Sequence, residues 1–261
     1  MYDKSMTSNK NINVIYKICS RRIAMKGEKT YNKIAIVVGI ASVILLVLYT
    51  WHLREQREKN VYVYEEHLND SVVTVDNQAV TLREFGYYIV KMEDIVQGQA
   101  LVYNSEDPTE YWNLHFSAGL DSGYMFEYAW NYAVADCICD LIFEKKAMEE
   151  GYTLTIEECK QVIKQSEAIY AMLSTEQIKK TGLTIDIITQ IEGRKRLAER
   201  YAHSAVTEDD VAKYIDDVIA YITGNAETVM SSDISEYEIY YNENMECDIR
   251  MGKVTVNCEN I

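Results

Sequence analysis

Residues Ile34 to Trp51 read IAIVVGIASVILLVLYTW, a run of 18 residues without a charge. At 1.5 Å per residue such a helix is about 27 Å long, close to the hydrocarbon thickness of a bilayer. A core helix of this length in a soluble domain carries a charged or polar face, and this run does not. Tyr49 and Trp51 stand at its far end, where amphipathic rings favour the membrane interface. The expectation is a single transmembrane helix over residues 34–52, in contact with the lipid bilayer through Ile34 to Trp51.

Charge orients that anchor. Residues 1–33 carry eight Lys/Arg against Asp3 and Glu28, a net of +6. On the other flank, Arg54 to Lys59 has three basic and two acidic residues. Positive flanks stay in the cytoplasm, so residues 1–33 are expected inside as a basic tail. No small-x-small site follows the apolar run, and no cysteine follows closely enough to take a lipid. The reading is an uncleaved signal anchor in the cell membrane. Met25 is a second plausible start for such a signal.

Beyond the anchor the balance reverses. Residues 60–261 hold 15 Lys/Arg against 37 Asp/Glu, a net of −22. So acidic a surface repels nucleic acid and anionic headgroups, which excludes both as partners of the outer domain. It suits solubility, and it also suits attraction of basic unfolded segments. With one proline, Pro108, and 11 glycines in the whole chain, long helices are favoured over a β-sandwich.

The fold expected outside is mainly α. Residues 53–70 are charged and read as a stalk continuing the membrane helix. Val73 and Val75 then alternate with polar residues, Asp76-Asn77-Gln78 makes a tight turn, and Ala79-Val80 returns, a small β-hairpin. Thr81 with Glu84 forms a capping box that opens a helix from Leu82 to about Tyr103. Asp107-Pro108 opens a short helix at Thr109. Asp121 caps a third, Ser122 to Glu150, ended by Gly151. Thr155 with Glu158 opens Ile156 to Leu173, and Ser174 with Gln177 opens a short helix ended by Gly182. Thr184 caps Ile185 to about His203, and Thr207 with Asp210 opens the last helix, to Thr223 and Gly224. The helical domain spans residues 71–224. In residues 225–261, Glu236 to Tyr241 and Lys253 to Cys258 alternate like strands, which fits either a small added sheet or a partly disordered tail.

Candidate site residues are aromatic. Phe126, Ala129, Trp130, Ala133, Cys137 and Leu141 recur at helical spacing and are expected to face the core. Tyr124, Tyr128 and Tyr132 form a neighbouring stripe, which is either the edge of that core or one wall of a groove for extended polypeptide. Tyr87, Tyr88, Tyr111 and Trp112 would supply other walls. Chemistry is less evident. The four histidines are scattered, no CxxC occurs, and Cys137 and Cys139 point to nearly opposite sides of a helix. No catalytic residue, metal or cofactor is therefore expected. Cys247 and Cys258 flank Gly252 and fit either one disulfide or two free thiols. Glu157/Glu158 and Asp209/Asp210 are the available carboxylate pairs, and cap chemistry accounts for them.

Three segments carry a resemblance. VVTVDNQAVTLREF, FEKKAMEEGYTLTIEE and SAVTEDDVAKYI look like the SurA/PrsA family of extracytoplasmic foldases. In that family a strand pair ending in a Thr-x-x-Glu-Phe helix start matches Val73, Val75, Val80, Thr81, Glu84 and Phe85. A helix end and restart matches Ala147, Gly151, Leu154, Thr155, Glu157 and Glu158, and a later start matches Val206, Thr207, Glu208, Val211 and Tyr214. The resemblance covers roughly residues 70–222. It implies a SurA-N-like helical chaperone domain. Family members often continue into a parvulin prolyl-isomerase domain with paired histidines. Residues 223–261 contain no histidine, so the resemblance implies the chaperone core without the enzyme.

The function expected is an anchored, extracytoplasmic chaperone-like protein that binds unfolded or secreted polypeptides without catalysis. The alternative is an interaction or scaffold module of an envelope or secretion assembly, and after it a peptidyl-prolyl isomerase.

Overall fold

The computed structural model describes residues 62–118, 121–205, 208–224, 234–242, 245 and 248–256. The expected tail, the anchor Ile34 to Trp51 and the first half of the stalk lie outside the described residues, as do Cys247 and Cys258. No helix of the described residues is long and apolar enough to cross a membrane. The described residues are mainly helical and fall within one compact unit that begins at Tyr62.

The last residues of the expected stalk do not continue a helix. Tyr64–Glu66 form a single 3-10 turn, Tyr64 is buried, and its hydroxyl donates to the Leu82 carbonyl at 3.1 Å. Backbone N–H groups of Leu82 and Arg83 donate to the carbonyls of Asp70 and Leu68. Burial of the Tyr64 ring and these two bonds bind the segment to the domain in place of extending it outward.

The hairpin stands as expected. Strands β1 (Ser71–Val75) and β2 (Gln78–Thr81) pair antiparallel with Val75 opposite Gln78, and Asp76 takes the turn at φ 52°. The ladder is irregular between Ser71 and Val73, and both Val72 and Val73 are buried. A bulge of that kind turns two consecutive residues against one partner.

Helix α1 (Leu82–Tyr103) opens with the complete capping box: Thr81 Oγ1 accepts the Glu84 N–H, and Glu84 accepts the Thr81 N–H at 2.9 Å. Leu82, Phe85, Ile89, Val96 and Ala100 bury one face. A short α2 (Thr109–Trp112) follows. Residues 121–124 are not the first turn of a helix capped by Asp121. They form β4 (Asp121–Tyr124), paired antiparallel with β3 (His115–Ala118), and helix α3 runs Met125–Glu149. Gly123 is costly in a helical turn, and the ladder with β3 satisfies its backbone instead.

Helix α3 is buried nearly all round, through Trp130, Ala133, Val134, Cys137, Ile138, Leu141 and Ile142 among others. Such a helix sits at the centre of a domain. It packs against α1, α6 (Ile185–Ala205) and α7 (Glu208–Ile222), while α4 (Ile156–Met172) packs on α6. Thr155 with Glu158 and Ser174 with Gln177 are reciprocal capping boxes, the second opening α5 (Thr175–Thr181). Gly182 ends α5 at φ 65°, the left-handed region that favours glycine. Thr207, the capping residue of the expected Thr207–Asp210 pair, lies outside the described residues.

The chain after α7 returns to the domain. Strand β5 (Ile239–Tyr241) pairs antiparallel with β1 and completes a sheet of order β2-β1-β5. Ile234, Met245, Ile249, Met251 and Val254 are buried in the same core. The described part of the expected Lys253 to Cys258 strand, residues 253–256, is bent and pairs with no strand. The Val254 and Thr255 N–H groups go to the Glu93 side chain instead, and the Lys253 N–H to the Arg250 carbonyl.

Candidate functional site: a buried ionic seam and an aromatic end

Two arrangements stand out. The first is a seam of polar side chains between α1, α3 and α6. Asp136, Asp140 and Glu144 stand at i, i+4 and i+8 on α3. Asp136 accepts from Lys91 at 3.0 Å, Asp140 from Lys195 at 2.9 Å and from the Tyr88 hydroxyl at 3.0 Å, and Glu144 from Arg194 at 3.1 Å. The Tyr87 hydroxyl donates to Glu192. Burial pushes the Asp140 carboxyl up to about 6, although Lys195 pulls it the other way. Burial depresses Lys195, but Asp140 and Asp136 outweigh it and hold the ammonium above its usual range. Burial likewise raises the phenols of Tyr87 and Tyr88.

Each charge in this seam faces an opposite charge or a hydroxyl, so the seam fastens three helices together. It also encloses Cys137, whose thiol burial holds well up, as it does that of Cys139. A buried, protonated thiol is a poor nucleophile. Among the described residues no cluster of His, Cys, Asp and Glu is arranged to hold a metal ion.

The second arrangement is the aromatic end where β3, β4 and α3 meet. Tyr124 and Tyr132 are each 42% exposed, Phe116 is 38% exposed and Tyr128 is half-buried. His115 meets Tyr124 edge-on at 4.9 Å, Tyr124 stacks on Phe126 at 5.4 Å, and Phe116 meets Tyr128 at 6.1 Å. The Arg250 guanidinium lies over the Phe126 ring at 4.0 Å. Burial pulls Arg250 down, against nearby Glu127 and Tyr124. Phe126 is therefore half-buried under a cation and not enclosed like Trp130.

Comparison with protein-family models, curated proteins and solved structures found no match.

The expected aromatic residues fall in three places. Tyr124, Tyr128 and Tyr132 share the aromatic end. Tyr111 is half-buried beside Tyr103, with its hydroxyl on Gln99 at 3.1 Å. Tyr87, Tyr88 and Trp112 are buried, Trp112 with its indole N–H on Gln97 at 2.8 Å. Their rings belong to the core and offer no wall to solvent. Phe116 was not among the expected residues, because its segment shows strand alternation only once its partner strand is known.

The other residue the pattern passed over is Glu93. It is fully buried on α1 and accepts from the backbone N–H groups of Gly252, Val254 and Thr255 at 2.5, 3.2 and 2.6 Å, and from the Thr255 hydroxyl. Burial raises its pKa, while these four donors oppose the shift. One signal did mark it: Glu93 falls four residues after Ile89 on the apolar face of α1, where an acid needs donors from elsewhere.

Proposed function

We propose that this chain is a membrane-anchored, extracytoplasmic chaperone-like protein, SurA-N-like in its helical domain and tethered through Ile34 to Trp51. It binds unfolded or secreted polypeptides by contact and not by chemistry. The observation that carries this reading is the aromatic end. Tyr124, Tyr132 and Phe116 keep large rings in solvent within one end of the domain, whereas Phe85, Tyr87, Tyr88, Trp112 and Trp130 are buried in the core. Exposed rings beside an acidic surface cover apolar segments of a client, attract its basic residues and leave the complex soluble.

The test uses the full chain in detergent micelles against several unrelated unfolded proteins. Suppression of their aggregation is expected, and changing Tyr124, Tyr128 and Tyr132 together to serine is expected to weaken it with helix content unchanged. Equal suppression by the triple variant would move the binding surface elsewhere. No suppression by the unaltered chain would overturn the chaperone reading.

A second reading, an interaction module of an envelope or secretion assembly, is favoured by one other feature. Leu101, Val102 and Tyr103 are exposed in succession at the end of α1, with Tyr111 beside Tyr103. A compact apolar patch of this kind suits one specific partner.

A further inference from the structure

The β3–β4 ribbon has only two strands, so each strand keeps one outer edge. Which backbone groups face outward follows from a single bond. The Met125 N–H donates to the Leu114 carbonyl at 3.0 Å, in the same register that sets His115 opposite Tyr124 and Phe116 opposite Gly123. Antiparallel pairs alternate between bonded and non-bonded. Phe116/Gly123 and Ala118/Asp121 are then the bonded pairs. His115, Ser117, Ser122 and Tyr124 turn their N–H and C=O groups to the outside.

The two edges are not equivalent. On β4 the Tyr124 N–H is already taken by the Glu127 carboxylate at 2.7 Å. On β3, His115 and Ser117 are exposed, and their outward backbone groups have no partner among the described residues. Two residues spaced i, i+2 with free donors and acceptors are the template that an added strand pairs with. Natural edges are usually blocked by lysine, proline or a covering element. The β3 segment HFSA carries no lysine or proline. Between Lys91 and Lys145 the sequence has no Lys or Arg and ten Asp/Glu, among them Asp121 in β4 and Glu127 in the first turn of α3. The cation brought to this end is Arg250, which sits on Phe126 at the α3 side.

We infer that the outer edge of β3 takes a short, extended, basic segment of an unfolded polypeptide as a third strand. This rests on the client-binding reading above and adds to it how the client is held. Backbone bonds to His115 and Ser117 supply affinity that does not depend on client sequence. Phe116 with Tyr128 on one face, and Tyr124 on the other, receive the client's alternating side chains. The acidic surroundings select lysine and arginine over aspartate and glutamate.

The test is fluorescence anisotropy with the full chain in detergent micelles. The probe is a labelled peptide of alternating lysine and valine. Its controls are a glutamate–valine twin and the lysine peptide methylated on every backbone nitrogen. The lysine peptide is expected to bind, and both controls to bind at least about tenfold more weakly, as loss of two backbone bonds or of charge complementarity requires. Ser117→Pro removes the outward N–H without touching a bonded pair, so it is expected to weaken the lysine peptide similarly while the melting curve stays in place. If that variant does not fold, the methylated peptide alone decides. Equal binding of the methylated peptide overturns the added strand. A dimer that forms with rising concentration and excludes the peptide also overturns it, by giving the edge to a second copy. Aggregation suppression is measured in parallel. Suppression without sensitivity to methylation sinks only the strand mechanism. Methylation-sensitive capture without suppression sinks only the chaperone reading.

Discussion

The Glu93 carboxylate accepts the Thr255 backbone N–H at 2.6 Å, a bond between residues 162 positions apart that closes the domain on itself. Together with the N–H groups of Gly252 and Val254 it fastens the last described segment to α1, and β5 fastens the same segment to β1. A fully buried carboxylate is tolerable only where donors replace water on both oxygens, and here four converge on two.

Glu93→Gln tests that fastening. The amide nitrogen cannot accept a hydrogen bond, so at least one backbone N–H is left facing a donor in the core. The expected loss is about 2–3 kcal/mol of unfolding free energy, measured by denaturant titration. Faster proteolytic cleavage within residues 234–256 should accompany it, because that segment loses its attachment to α1.

A chain ended at Gly224 tests the same closure from the other side. It loses Ile234, Met245, Ile249, Met251 and Val254 from the core, exposes the free edge of β1 and strips Glu93 of all four donors. The expected outcome is a much lower melting temperature than that of the full chain, or a melt that is no longer cooperative. An unshifted transition would make the returning segment an appendage.

How far this architecture could be seen beforehand depends on the distance over which each element is determined. Thr81 with Glu84, Thr155 with Glu158 and Ser174 with Gln177 fix helix starts within four residues, and all three stand as capping boxes. The tight turn at Asp76 is equally local. Asp121 was misleading for the same reason. Next to Ser122 it has the chemistry of a cap, and only pairing with His115–Ala118 shows that residues 121–124 are a strand. Tyr87 and Tyr88 looked like groove walls because tyrosine tolerates either environment. Their burial depends on Glu192 and Asp140, which lie 105 and 52 residues further along. Glu93 is the extreme case, since nothing near it in the chain supplies its donors.

The ionic seam predicts a pH dependence with a definite sign. Burial raises the Asp140 carboxyl to about 6, above the roughly 3.9 of an unfolded aspartate. Between those values the folded chain binds a proton that the unfolded chain releases. Asp140 therefore favours folding below about pH 4, and that contribution is lost as pH rises toward 6. Asp140→Asn removes the titration and keeps an acceptor for Lys195 and Tyr88. Stability measured by urea titration across this range is expected to rise more steeply with pH in the variant than in the unaltered chain. Parallel curves would show that Lys195, at 2.9 Å, keeps the carboxylate ionised after all.

The centre of α3 and its exposed end should respond differently to truncation. Trp130 is 1% exposed and meets Phe85 edge-on at 5.2 Å, so its ring joins α3 to α1. Trp130→Ala removes that ring from a closed core and is expected to cost about 3–5 kcal/mol. Tyr132, two residues along, is 42% exposed beside α7, with Asp216 close enough to raise its phenol after burial has done so. Tyr132→Ala should cost markedly less, about 1–2 kcal/mol, because some two-fifths of the side chain was already in water. Denaturant titration of both variants checks the contrast. A large cost at Tyr132 would make the ring a structural brace between α3 and α7, and would leave Phe116 and Tyr124 as the exposed aromatic surface. A small cost at Trp130 would contradict the burial on which the arrangement of α1 against α3 depends.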